Sequence, residues 1–251
     1  MPRIPFSRRL MRLRNKPITK QDFSGYVVWR GFYAGAGFGL GELDPIDVGD
    51  ALKKTEEELA THEKYQRILD AAVEVIAERG YFKSPVSEIA KRAGVADGTV
   101  YLYFKSKDDV LRTAIDRTFE KFYKQIADAF VTLTGPREQL EYIALVHLES
   151  STANRSMAVL MQTEMRQSAR FIAEFSHHHL VKYIQMVREV VRRGQEEGIF
   201  RRDVSDGVVA HCMFGAIDEL LSSAVFTGRV YDAKATAAQV MDVLLKGITA
   251  G

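Results

Sequence analysis

Residues 86–111 read VSEIAKRAGVADGTVYLYFKSKDDVL, and the fold is decided by how this stretch is punctuated. Ile89, Ala90 and Ala93 place small apolar side chains on one face of a short helix, which Gly94 ends. Ser84 reads as the N-cap of that helix and Pro85 as its first residue. After the turn GVAD, residues 98–104 form the next short helix, with Val100 and Phe104 at i and i+4 turned inward. Helix, short turn, helix is the helix-turn-helix unit, whose second helix enters the DNA major groove.

The residues left on the outer side of 98–107 suit that task. A helix in a groove needs small side chains where bases or backbone come close, and Gly98 and Thr99 supply them. The Thr99 methyl and hydroxyl can meet a thymine methyl or a phosphate. Tyr101 and Tyr103 can reach phosphates through their hydroxyls while their rings pack, which holds the register. Lys105 and Lys107 follow. Lys107 opens the next helix, where an ammonium and helix-start amides both favour a phosphate.

Working outward, Tyr65, Ile68, Leu69, Ala72 and Ile76 form one apolar stripe of a helix beginning at residue 61 and closed by Gly80. The reading divides the chain into a leader, 1–60, a helix-turn-helix domain, 61–107, and a helical ligand-binding and dimerisation domain, 108–251. The leader carries seven basic residues and no acid in its first twenty, then glycines at 31, 35, 37, 39 and 41. It is expected to be flexible or to reflect a mis-assigned start. Its GxGxG pattern lacks the strand, helix and Lys-Ser/Thr of a phosphate loop.

Here the sequence resembles a known family. Residues 86–111 are similar to the helix-turn-helix signature of TetR-family transcriptional regulators, and RILDAAVEVIAERGY, 67–81, resembles the family's first helix. The resemblance implies an all-α protein, a DNA-binding head followed by a helical effector and dimerisation domain. It implies that Ser84 and Ser87 face phosphate and that Thr99, Tyr101, Tyr103 and Lys107 occupy contact positions. Many members carry a basic or neutral residue where Asp97 stands, so base preference does not carry over.

The remaining pattern is helical. Leu111, Ala114, Ile115, Phe119, Phe122, Ile126 and Phe130 trace a long helix, broken at Gly135-Pro136. Helices are expected over about 136–151, 154–167 and 169–196. In a later helix Val204, Val208, Cys212, Ala216, Leu220 and Ala224 recur every four residues beside Val209, Met213, Ile217, Leu221 and Val225. That stripe is wider than a surface helix needs. With a last helix over about 233–249 it suggests a partner subunit, hence a homodimer reading a pseudo-palindromic operator in double-stranded DNA.

Met157, Met161 and Met165 repeat at i, i+4, i+8, a flexible apolar lining for an adaptable cavity, with Met213, Phe214 and Ile217 on the later helix. Arg166 could pair with Asp218 or Glu219 across helices. LMQTEMRQSARF and HCMFGAIDELLSSAVF resemble parts of FadR-type TetR regulators, acyl-CoA-responsive repressors of fatty-acid degradation. The resemblance implies a long-chain acyl-CoA effector bound near Met157, Met161, Met165, Arg166, Met213 and Ile217. Arg170, Lys182, Arg188, Arg192 and Arg193 are further basic candidates for its head group. A TetR-like repressor answering to a hydrophobic drug or another lipid is the alternative.

Other classes fit poorly. His177, His178 and His179 are consecutive and point about 100° apart on a helix, so one ion does not take all three, and no metal or cofactor is expected. No nucleophile elbow or phosphate turn supports an enzyme. One cysteine, Cys212, forbids an internal disulfide and fits a reducing cytoplasm. No apolar run reaches the ~18 residues of a membrane helix.

Overall fold

The computed structural model describes residues 48–167 and 177–249, with side chains over 59–165 and 177–249. The basic and glycine-rich leader through residue 47, Arg170, and the side chain of Arg166 lie outside the described residues. The chain divides into two units, Met1–Glu56 and Glu57–Gly251. In the first, the described part is helical from Val48.

In chain order the helices are α1 Val48–Arg79, α2 Val86–Ala93, α3 Asp97–Tyr103, α4 Lys107–Ala129 and α5 Pro136–Ala153. They continue with α6 Arg155–Gln162, α7 Glu164–Gln167, α8 His177–Glu196, α9 Asp206–Thr227 and α10 Ala233–Ile248. Among the described residues, β structure is limited to one antiparallel bridge between Phe200 and Thr249. The all-α reading therefore holds. The first helix starts at Val48 rather than 61. Its added turns, DALKKTEEELA, are good helix formers without an apolar stripe, so propensity extends the helix where periodicity is silent.

Two local expectations are corrected. The N-cap of α2 is Pro85 and not Ser84. Ser84 is fully buried, and its hydroxyl points back to α1, its one proton shared between Gly80 O at 2.7 Å and Val75 O at 3.1 Å. The helix expected over 154–167 breaks at Thr163, which separates α6 from α7. Asn154 caps α6 by accepting from Met157 N at 2.9 Å.

Side chains segregate into two cores. The first gathers Ile68, Leu69, Ala72 and Ile76 of α1 with Ile89, Val100, Phe104, Leu111 and Ile115, and also Met157, Leu160 and Met165 of α6 and α7. The second joins Phe122 and Ile126 of α4 to Ile143, Tyr183, Val187, Met213, Ile217, Met241 and Leu245 of α5, α8, α9 and α10. Helix α4 thus contributes its first half to one core and its second half to the other. Gly194 lets Phe200 seal the second core, since a Cβ there would lie 2.2 Å from the Phe200 ring.

Helix α9 has two faces. Val209, Met213, Ile217 and Leu221 are buried, whereas Val208, Cys212 and Ala216 are exposed. Its most apolar 18-residue window reaches a mean hydropathy of 1.4, long and apolar enough to cross a membrane, with a third of that window buried. The sequence expectation that no run is long enough is corrected: Asp218 and Glu219 interrupt the run without lowering its average below that of a spanning helix. Val243 on α10 and Phe226 on α9 are exposed as well.

Candidate functional site

The helix-turn-helix face is built on aromatic packing. Val100 and Phe104 are buried, and the Phe104 ring stacks on Tyr65 of α1 at 4.9 Å. Tyr103 meets the same Tyr65 edge-on at 5.9 Å and is half-buried. These rings fix how α3 rotates against α1. Outward on α2–α3 are Ser87, Lys91, Arg92, Asp97, Gly98, Tyr101 and Leu102, with Thr99 half-buried. Tyr101 and Leu102 are 58% and 81% exposed. An exposed leucine between two tyrosines offers apolar contact to thymine methyls, a feature the sequence reading passed over.

The basic residues have separate settings. Lys105 is exposed, and its backbone N–H donates to Asp109 Oδ2 at 2.9 Å. Ser106 accepts from Asp109 N at 3.2 Å and caps α4. Lys107 donates to Tyr81 O at 2.7 Å, and its ammonium lies 4.0 Å from the centre of the Tyr81 ring. Burial pulls its pKa below the ordinary lysine value. Lys107 therefore braces the α1–α2 turn as well as standing at a helix start. Tyr81 also hydrogen-bonds Asp108 through its hydroxyl. Ser84, expected at phosphate, is buried by its two carbonyl bonds and cannot face DNA.

A cavity of about 310 Å³ opens between the two cores. Its walls include Met157, Met161 and Met165, as expected, together with Phe119, Phe122, His147, Tyr183, Phe214 and Leu221. Met213 and Ile217 do not line it. Both are fully buried in the second core, and the residues one step along α9, Phe214 and Asp218, face the cavity instead. A rotation of 100° per residue separates the two sets. Phe214 apart, the aromatic wall has no signature in the sequence, because its members are scattered over four helices. The volume is at the lower end of what small-molecule pockets occupy, ~300–1,000 Å³.

Few polar groups break this apolar lining. Gln162 donates to Asp218 Oδ1 at 2.8 Å, and its own carbonyl oxygen is buried without a partner. His147 Nδ1 lies 3.3 Å from the Tyr183 hydroxyl, and its ring stacks near Phe214. Burial lowers the His147 pKa to about 4, so the imidazole is neutral near pH 7, and burial raises the Tyr183 phenol. At the rim His179 stacks on Phe119 at 4.1 Å and bonds Asp116 at 2.8 Å; burial holds its pKa below the ordinary value. Lys182 lies 4.1 Å over the Tyr123 ring, whose hydroxyl donates to His179 O. Arg188 and Arg192 are paired with Asp206, and Arg193 hydrogen-bonds Gln139.

The cavity and the helix-turn-helix half are joined directly. Glu164 accepts from Tyr81 N at 2.9 Å, one residue from the cavity-lining Met165. Thr118, Phe119 and Phe122 of α4 line the cavity, while the same helix begins at Lys107 beside the recognition helix.

Comparison with known proteins agrees with this arrangement. The family model described as bacterial regulatory proteins, tetR family, matches residues 68–114, and the model of the YsiA-like protein C-terminal region matches 115–247. The fatty acid metabolism regulator protein of Bacillus subtilis is 34% identical over 185 residues, covering 74% of this chain and 95% of that protein. Among solved structures, the fatty acid degradation regulator FadR of Bacillus halodurans aligns with a TM-score of 0.69 and 35% identity, over 73% of this chain and 95% of that one. FadR of Bacillus subtilis, solved in complex with stearoyl-CoA, aligns at 0.68 and 32%, over 73% and 99%.

Proposed function

The chain belongs to the TetR family of bacterial regulatory proteins, and from that premise we propose that it is a cytoplasmic, homodimeric repressor released from its operator by a long-chain acyl-CoA. Residues 61–107 read double-stranded DNA and 108–251 hold the effector and the partner protomer. The genes it controls are those of fatty-acid metabolism.

One observation carries the proposal: the cavity lies between the two cores, and α4 belongs to both. Met157 and Met165 pack with the DNA-binding head, whereas Phe122, Tyr183 and Leu221 pack with the second core. An acyl chain inserted between them pushes the two apart along α4. A ligand shifts such an equilibrium only by its differential affinity for the two states, and a cavity shared by two cores supplies one. An apolar tail suits these walls, and Lys182, over the Tyr123 ring whose hydroxyl bonds the cavity-lining His179, offers a cation for an anionic head group.

The exposed stripe Val208, Cys212, Ala216 on α9, with Val243 on α10, supports a second protomer as its cover. Two heads in one dimer then meet two half-sites of a pseudo-palindrome. A gel shift on DNA from the protein's own upstream region tests the DNA-binding part, and native mass spectrometry of the purified protein tests the ligand. Retarded DNA and an acyl-CoA adduct are expected. Failure to retard any such DNA contradicts the repressor reading, and a bound drug or sterol contradicts the acyl-CoA.

A further inference from the structure

We propose that Asp116, His178 and His179 form a binding site for a borderline divalent cation of the zinc, nickel or copper class, bridging α4 to the first turn of α8. Asp116 Oδ1 lies 2.8 Å from His179 Nε2 and 3.5 Å from His178 Nε2, and one donor atom of each residue lies within 4.8 Å of the others. Around a tetrahedral ion with bonds of ~2.0–2.1 Å, neighbouring ligand atoms sit ~3.3 Å apart. The two distances to Asp116 bracket that value, so small side-chain movements close the site.

Adjacent helical residues point apart, yet these two imidazoles converge. Their ring centres are 3.8 Å apart, and both Nε2 atoms approach the same carboxylate oxygen. His177 is not part of the group. A hydrogen-bonded His–Asp pair alone accounts for His179, which donates at 2.8 Å. It does not account for His178, whose 3.5 Å separation is too long for a good hydrogen bond. A cation satisfies all three donors together. Two imidazoles and one carboxylate, with water in a fourth position, suit these metals, whereas magnesium and calcium prefer all-oxygen sets.

The two anchoring residues differ in rigidity. His179 is buried and stacked flat on Phe119, so its position is set by packing. His178 is 59% exposed and can swing onto an arriving ion. Phe119 and His179 both line the cavity, so the ion clamps two of its walls. The site rests on its own geometry and stands whether or not the cavity takes an acyl-CoA.

The experiment uses the full chain, stripped with EDTA and desalted, titrated with Co²⁺ followed by its visible bands and with Zn²⁺ by calorimetry. One saturable site per chain is expected, weakened at least about tenfold in Asp116→Asn and in His178→Ala, and unchanged in His177→Ala. Zn²⁺ raises the melting temperature of the wild type and not of those two variants. Should Asp116→Asn misfold, His178→Ala carries the test, because its side chain is exposed. Absence of saturable binding, or binding that survives both Asp116→Asn and His178→Ala, overturns the proposal.

Discussion

Glu164 accepts a hydrogen bond from the backbone amide of Tyr81 at 2.9 Å, across 83 residues of sequence. It ties the short helix beside the cavity to the turn that supports α2. Gly80 precedes Tyr81 with φ +80°, and a Cβ there would lie 3.2 Å from Glu164 Oε1. The carboxylate is therefore seated in a turn shaped to admit it. Tyr81 in turn holds Lys107 through its carbonyl and ring, so one residue links α7, the α1–α2 turn and the start of α4.

Glu164→Ala is expected to loosen this link. A part-buried amide left unpaired costs about 1 kcal/mol, read as a lower urea midpoint. The ratio of operator affinities without and with effector should shrink at least about threefold. A stability loss with an unchanged ratio would show that Glu164 is only a staple.

Ser84→Ala should destabilise by about 1–2 kcal/mol, because the hydroxyl proton shared between Val75 O and Gly80 O is lost in a buried site. Operator affinity of the folded variant should not change, since no phosphate contact is removed. A variant of full stability that binds the operator at least about threefold more weakly would restore Ser84 to the DNA face.

The sequence exposed most of the head and less of the cavity, for physical reasons visible residue by residue. Val100 and Phe104 are four apart on one short helix, so local periodicity sufficed to place them inward. Ser84 was misplaced because Ser before Pro satisfies the N-cap pattern, and only the tertiary approach of α1 shows its hydroxyl turned backward. Lys107 sits at a helix start as read, but its bond to Tyr81 joins residues 26 apart and has no local signature. On α9 the two stripes are legible, but the cavity-facing Phe214 and Asp218 belong to neither, because which residues meet the cavity depends on the rotation of the helix in the bundle. Asp116 and His179, 63 apart, meet only through the packing of α8 on α4.

Acid should destabilise the protein through His147. Its pKa is about 4 in the folded chain and roughly 6.5 when unfolded. Between those values the unfolded state binds the additional proton, so stability is complete above about pH 6.5 and declines as the pH falls toward 4. His179, lowered by burial in the same direction, adds to the decline. Urea unfolding near pH 7.5 and pH 5 should differ by up to about 2 kcal/mol from His147, with a smaller difference in His147→Gln. Equal pH dependence in the two proteins would contradict a desolvated, neutral imidazole in the half-buried cavity wall.

Ala216→Arg places a charge in the exposed stripe of α9 and leaves the buried face of that helix untouched. Light scattering should show a monomer, and operator affinity should fall at least about tenfold as the two half-sites lose their tether. A variant that stays dimeric would place the interface elsewhere.

The most direct measurement is operator affinity by fluorescence anisotropy, on DNA retarded by the wild type, with no addition, with coenzyme A, and with stearoyl-CoA. A couple between cavity and head typically amounts to 5–150-fold. The account predicts that saturating stearoyl-CoA weakens operator binding by at least about tenfold while coenzyme A leaves it unchanged. Equal affinity under all three conditions would contradict it.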